Sequence, residues 1–326
     1  MKMTRRTFIN AALASIGTAA LPWSFAQDRW PARPVTIISP YGPGGPNDIS
    51  ARLIGEHLRS RLGQPFIVEN KAGAGTRIGT SYVAHKASDG YTLLYAAAPY
   101  ATMEALYGNL DFDPHKDLQP VGMTAIAPLF LIVNAQMPVK TVRELIAYGK
   151  SRPDGLTFGS PGTGSMPHLA QELLFLDASV KGLSVHYRGD AAAYMDLLAG
   201  RIDATLTAIS AALPHIRSGK LRVLGVASGS RSEIYPDAMT LREQGFPNVV
   251  ASGWYGFMLP RDVPKAVVDR LDAEVSQAIK DTEMKKKLLA QGMEPHALGA
   301  ADFGKFIDAE MEKWGTVIRK VGIKGE

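Results

Sequence analysis

The chain has 326 residues, 46% of them hydrophobic, which is enough to fill two domains with separate cores. It contains no cysteine, and this excludes a disulfide framework, a thiol nucleophile and a cysteine-based metal site. The formal net charge is +5, but no module of interleaved basic and aromatic residues accompanies it, so we expect no nucleic-acid partner.

Residues 1–26 have the features of a cleaved export signal. The twin arginines Arg5 and Arg6 precede a weakly apolar stretch at residues 11–21, and residues 24–26 supply a small-x-small cleavage site. The alternative is a membrane anchor, which a short stretch rich in Ala, Ser, Gly and Thr disfavours. Cleavage would remove three basic residues and no acid, so the net charge would fall from +5 to +2.

A glycine-rich turn between a strand and a helix is the first feature after the signal. Residues 35–38 are typical of a buried strand, and apolar residues recur at helical spacing from Ile49 to the stop signal Gly63. The glycines between them free the backbone to bring N–H groups close to a ligand, and Asn47 or Asp48 can cap the helix. Such a turn suits a carboxylate, because a helix amino end carries partial positive charge. The alternative is a tight turn that binds nothing.

The same arrangement recurs in the second half of the chain. Residues 156–160 predict a strand, the glycine loop 161–165 follows, and the next helix has Ser165 as its cap. Ligands of open α/β sheets bind outside the carboxyl ends of the strands, so the two loops predict two α/β lobes around a shared cleft. We expect Gly44 and Gly164 to bring backbone amides to one carboxylate.

Further segments extend this interpretation. Residues 91–95 predict a strand, with Ala98 and Pro99 at its end as a further wall of the cleft. The apolar run 129–133 predicts a central strand near a crossing between the lobes, and residues 253–257 predict a return to the first lobe.

Two specific signatures and several shorter motifs carry a family resemblance. The first signature covers residues 41–48 with Arg52, and the second covers residues 160–165 with His168 and Glu172. The shorter matches are residues 69–71, 89–94, 187–189, 196–203, 214–216, 219–221 and 313–314. Over essentially its whole mature length, the chain resembles the periplasmic substrate-binding proteins of the tripartite tricarboxylate transporters, the Bug family.

The resemblance implies an α/β, two-lobed periplasmic binding protein fold with a ligand cleft between lobes joined by a hinge. Lobe 1 is expected over residues 27–126, lobe 2 over residues 127–250, and a return to lobe 1 with C-terminal helices over residues 251–326. The implied ligand is a small organic carboxylate, held partly through bridging waters, and the implied partners are membrane permease subunits of such a transporter. We expect a periplasmic monomer without cofactor or metal.

The resemblance also bears on individual cleft residues. It places the loop 70–76 at the cleft, where Thr76-Arg77 departs from the usual pattern and either crowds the site or adds a cation. It places Asp203 at the cleft edge, where the residue could also merely end a turn. Arg188 could grip a carboxylate with two hydrogen bonds or stand in a solvated loop. The expected ligand-binding residues are Tyr41, Gly44, Gly45, Asn47, Gly75, Thr76, Ala98, Pro99, Ser160, Thr163, Gly164, Ser165, His168, Arg188, Asp190 and Asp203.

Enzyme functions are disfavoured by missing motifs. The sequence has no G-x-S-x-G elbow, neither glycine loop ends in G-K-[ST], and the histidines lack metal-ligand spacing. The carboxylates Asp48, Asp190 and Asp203 have no evident acid–base partner. We therefore expect a binding protein that performs no chemistry. The alternative role is ligand sensing, in which the loaded protein docks on a membrane sensor kinase rather than on a permease.

The export signal can be tested through its arginine pair. Replacing Arg5 and Arg6 together with lysine is expected to leave the precursor in the cytoplasm, because the twin-arginine signal depends on both residues. Immunoblots of the cytoplasmic and periplasmic fractions measure this. Mature-sized protein in the periplasm of the variant would contradict twin-arginine export. Export by the general secretory route would then be the remaining explanation.

Overall fold

The computed structural model describes residues 30–325, so the export signal predicted over residues 1–26 lies outside the described residues. Within this range the chain forms eleven strands and ten α-helices. The strands are β1 (Val35–Ser39), β2 (Phe66–Asn70), β3 (Thr92–Ala97), β4 (Leu118–Pro128), β5 (Phe130–Asn134), β6 (Leu156–Ser160), β7 (Gly182–His186), β8 (Ala204–Thr207), β9 (Leu221–Val226), β10 (Ser252–Pro260) and β11 (Glu294–Gly299). The helices are α1 (Pro46–Leu62), α2 (Arg77–Ala84), α3 (Met103–Tyr107), α4 (Val142–Lys150), α5 (Met166–Ala178), α6 (Asp190–Leu198), α7 (Leu213–Arg217), α8 (Lys265–Lys280), α9 (Thr282–Ala290) and α10 (Ala300–Val321).

The first sheet has the strand order β11-β4-β10-β3-β1-β2. Strands β2, β1 and β3 are parallel, whereas β10 runs antiparallel to both β3 and β4. Both faces of β1 are covered, because the fully buried neighbours Ile37 and Ile38 point into different apolar clusters. Gly63 ends α1 in the left-handed conformation, as its position after the apolar run predicts.

The second sheet has the order β7-β6-β8-β5-β9. Strands β7, β6 and β8 are parallel, and β5 pairs antiparallel with β8 and β9. The predicted apolar strand is therefore β5, which lies between two partners and has its first four residues buried. The two sheets confirm an α/β fold with two lobes.

The chain crosses between the two sheets at two places, and the two crossing segments lie next to each other. The chain passes from β4 to β5 through Leu129 and returns from the second sheet to β10 after Ala251. Ala227 connects the crossings, because its N–H donates to the Leu129 carbonyl at 2.8 Å and its carbonyl accepts from the Ala251 N–H at 2.7 Å. Sheet membership changes at these points, while the lobe boundaries at 126/127 and 250/251 stay predictions.

The C-terminal helix α10 contacts β4 of the first sheet and α5 of the second lobe. Phe303 and Trp314 on this helix are fully buried, and the Trp314 indole donates to Glu310 Oε2 at 2.7 Å. Both aromatic side chains therefore belong to the core. Of the helices within residues 30–325, each is too short or too polar to cross a lipid bilayer.

Candidate functional site

A cavity of about 610 Å³ lies between the two lobes. Residues from both lobes line it, whereas the depressions beside Asp113 and Arg77 are lined by the first lobe alone. The lining includes Tyr41, Gly42, Gly75, Thr76, Ala98, Pro99, Leu106, Tyr107, Leu129, Thr163, Gly164, Ser165, Met166, Asp190, Thr207, Trp254 and Tyr255.

The structure brings part of the predicted site together. The predicted residues that line the cavity are Tyr41, Gly75, Thr76, Ala98, Pro99, Thr163, Gly164, Ser165 and Asp190. The predicted residues that the lining does not include are Gly44, Gly45, Asn47, Ser160, His168, Arg188 and Asp203. The reasons differ from residue to residue.

The first glycine loop is held by the helix that follows it. The Gly44 N–H donates to Asp48 Oδ2 at 2.9 Å, so this amide already has an acceptor within the protein. Burial alone would raise the pKa of Asp48, but hydrogen bonds from Arg52, the Gly44 amide and Asn70 lower it below its usual range. The prediction that Asn47 or Asp48 caps α1 was wrong, since Gly45 is the N-cap and supplies no side chain.

Asn47 acts inside the lobe rather than on a ligand. Its side chain is buried, accepts from Ser39 Oγ at 2.7 Å and donates to the Tyr95 carbonyl at 3.1 Å. These bonds tie the start of α1 to the ends of β1 and β3. Asn47 therefore fixes the loop geometry through contacts inside the lobe.

The second glycine loop has the same arrangement with different side chains. The Gly164 N–H donates to His168 Nδ1 at 3.0 Å, again across four residues. Ser165 is the N-cap of α5, as predicted, with its hydroxyl oxygen accepting from the His168 N–H at 3.3 Å. Because Nδ1 accepts, the neutral His168 ring carries its proton on Nε2, which lies 3.5 Å from Glu172 Oε1.

Ser160 lies beneath this loop and is fully buried. Its hydroxyl lies 2.8 Å from His186 Nδ1, and the His186 ring packs edge-on against His168 at 4.5 Å between centroids. These contacts support the loop from the side away from the cavity. Ser160 and His168 are therefore positioning residues.

Three charged residues of lobe 2 differ in their distance from the cavity. Asp203 lies at the amino end of β8, where it accepts from Arg152 and from the Thr157 N–H, each at 2.7 Å. The cavity is at the opposite, carboxyl end of β8, where Asp190 Oδ1 accepts from Thr207 Oγ1 at 2.7 Å. Arg188 is exposed and outside the lining.

Burial raises the pKa of Asp190, and the hydrogen bond from Thr207 opposes this change. Among the described residues of the lining, Asp190 is the only carboxyl group, and lysine, arginine and histidine are absent. Arg77 does not supply a cation either, since its guanidinium stacks on the Tyr107 ring at 3.7 Å. Among the described residues, the lining therefore has no cationic side chain.

An aromatic wall of the cavity was missed at the sequence level. Tyr255 comes from β10 and Tyr107 from α3, whereas the neighbouring Trp254 ring is fully buried and packs on Phe303. Tyr255 stacks on Tyr95 at 6.1 Å between centroids, and burial raises the pKa of Tyr255 to about 12. The position of this wall depends on the pairing of Tyr255 with Ala97, which is a long-range register that no local pattern reports.

The comparisons with known proteins agree with this geometry. Residues 50–323 match the family described as the tripartite tricarboxylate transporter family receptor. The chain belongs to this family. It is also 35% identical over 326 residues to Protein BugT of Bordetella pertussis, covering 99% of each chain.

Two solved structures extend the likeness to three dimensions. Rpa4515 of R. palustris, solved with adipate, has a TM-score of 0.76 at 32% identity, covering 90% of this chain and 99% of that one. MatC of Rhodopseudomonas palustris, solved with malate, has a TM-score of 0.71 at 31% identity, covering 89% of this chain and all of that one. The family consists of transporter receptors, and its solved relatives include a TctC solute-binding protein from Polaromonas and the periplasmic binding protein BugD, which are not enzymes.

The two glycine loops are expected to respond differently to a side chain. Gly44 and Gly164 both have positive φ, of 82° and 70°, so Gly44→Val and Gly164→Val should each destabilise the protein by about 1–3 kcal/mol. A Cβ at residue 164 would lie 2.9 Å from Leu106 Cδ1 of the cavity wall, whereas a Cβ at residue 44 would meet nothing within 4 Å. Gly164→Val should therefore weaken binding more than Gly44→Val does. Thermal melting followed by circular dichroism measures the loss of stability. Titration calorimetry, with the carboxylate that most raises the melting temperature of the wild type, measures the loss of affinity. Equal losses of affinity would contradict this reading.

Arg188→Ala is expected to change ligand affinity by less than about 0.5 kcal/mol, because the side chain is exposed and outside the lining. Titration calorimetry on the wild type and the variant measures the difference. A tenfold or larger loss of ligand affinity would show that Arg188 contributes to the binding site.

Proposed function

We propose that this protein is a periplasmic solute-binding receptor that captures a small organic carboxylate between its lobes. The single observation that supports this most is the cavity at the carboxyl ends of β1, β3 and β6, with the starts of α1 and α5 beside it. Similar chains hold adipate and malate, which are both carboxylates.

The anchor for the carboxylate is provided by the backbone and by hydroxyl groups. Within residues 30–325, the N–H groups of Gly42 and Met166 have no protein acceptor, and both residues line the cavity. Met166 is the first residue of the thirteen-residue helix α5, so the partial positive charge of that helix favours an anion at this point. The hydroxyl groups of Thr76 and Thr163 extend the polar part of the lining. Ordered waters can complete such a site at small cost in free energy.

The remainder of the ligand would lie against an apolar wall. Ala98, Pro99 and Leu106 contribute apolar surface to the cavity, and Tyr107 and Tyr255 contribute aromatic surface. Apolar surface of this kind stabilises a bound hydrocarbon chain by about 25 cal/mol per Å² removed from water. Carboxylates with short aliphatic or aromatic bodies fit this lining.

Membership of a transporter receptor family supports delivery of the ligand to a membrane permease. Residues 1–26 would direct export and then be removed, which places the receptor in the periplasm. The family match supports a role in transport over docking on a sensor kinase.

A thermal-shift screen of the purified protein against small carboxylates tests the proposal. A ligand at a hundred times its Kd should stabilise the folded state by about 2.7 kcal/mol, because it binds only the folded form. Thr163→Phe should abolish the shift by filling the cavity, whereas Thr282→Phe, at an exposed position outside the lining, should leave it unchanged. Failure of every carboxylate to raise the melting temperature would contradict the proposed function.

A further inference from the structure

The charge of the cavity lining restricts the ligand more narrowly than the family does. Asp190 lines the cavity, and no lysine, arginine or histidine accompanies it among the described lining residues. Within residues 30–325, no basic side chain forms an ion pair with Asp190. A half-buried carboxylate thus faces the ligand space without a counter-ion from the protein.

Two local features keep Asp190 in place as an acceptor. It is the first residue of α6, where the helix amino end favours negative charge, and Thr207 Oγ1 donates to its Oδ1. Tyr194, one turn further along α6, does not compete for it, because its hydroxyl donates to the Ala208 carbonyl at 2.7 Å. The second carboxylate oxygen, Oδ2, has no hydrogen-bond donor within the described residues. It is available to a ligand.

The strand register puts this acceptor close to the second glycine loop. Gly159 of β6 pairs in parallel with Thr205 of β8, so Thr207 is level with Pro161 at the start of the loop. The carboxylate anchor at the start of α5 and the acceptor at Asp190 therefore line the same cavity, beside the neighbouring strands β6 and β8. A small ligand can meet both.

We propose that Asp190 selects a ligand that carries an amino group as well as a carboxylate, and that it receives the ligand's ammonium group. This inference rests on the proposed function. The ammonium would supply the counter-ion that the lining lacks, in a charge-assisted hydrogen bond. A second carboxylate in the same place would face a like charge in a partly desolvated site.

The selectivity should therefore run opposite to that suggested by the two dicarboxylates, adipate and malate, found in similar chains. Burial raises the pKa of Asp190, and an ammonium beside it would favour the ionised form again. The preferred ligand class is a small zwitterion with little net charge and an apolar body.

Matched ligand series test this with titration calorimetry on the purified protein. Each series has a dicarboxylate, an amino-carboxylate and a plain monocarboxylate of equal carbon number, for example adipate, 6-aminohexanoate and hexanoate. A second set pairs α-amino acids with their deaminated acids, for example phenylalanine with 3-phenylpropanoate. In the best-binding series, the amino compound should bind about tenfold to a hundredfold more tightly than its partners.

Asp190→Asn supplies the decisive variant, because asparagine keeps the shape and an acceptor for Thr207 but removes the charge. It should erase the preference for the amino compound, because the ammonium group loses its charged acceptor. Asp196→Asn, on the same helix but outside the lining, is the matched control and should keep the preference.

The outcomes distinguish a failure of the role proposed for Asp190 from a failure of the proposed carboxylate-receptor function. Tighter binding of dicarboxylates or plain monocarboxylates by the wild type would overturn the role of Asp190 and leave the carboxylate receptor standing. An unchanged preference in folded Asp190→Asn would do the same. If no compound of any series bound, the proposed function would fail as well. The wild-type comparison decides the matter even if the variant does not fold.

Discussion

The geometry of the cavity depends on two glycine amides that the following helices hold in place. Asp48 accepts from Gly44, and His168 accepts from Gly164, in each case across four residues. The first amides of a helix need acceptors, and a side chain one turn into the helix supplies one for the preceding loop. The acceptor is the Asp48 carboxylate in the first lobe and the His168 imidazole in the second. Each loop is therefore set before a ligand arrives, and the N–H groups at Gly42 and Met166 remain for binding.

Much of the fold could be predicted from the sequence because its signals are local. The strands and helices around both glycine loops follow from β-branched runs, helical periodicity and the Ser165 cap, and all of them are present. The site was less predictable, because its walls come from distant segments. Tyr255 reaches the cavity through the register of β10 with β3, and no pattern near Tyr255 contains that information.

Arg188 and Asp190 illustrate the limit most clearly. They are two residues apart in a loop after a strand, and composition gives no reason to separate them. Gly189 between them has φ of 96°, a conformation that favours glycine, directly before α6 begins. Asp190 then lines the cavity and Arg188 is exposed. The residue that begins α6, and not the loop residue two positions before it, thus sets the sign of the side-chain charge at the cavity.

The hydrogen-bonded crossings at Leu129, Ala227 and Ala251 have a consequence for how the receptor communicates with other proteins. A hinge rotation of the lobes about these crossings would turn around Leu129, which also lines the cavity. The length of a bound molecule would then be converted into an angle between the lobes. A membrane partner that recognises both lobes at once could distinguish a well-fitting cargo from a poor one without touching it.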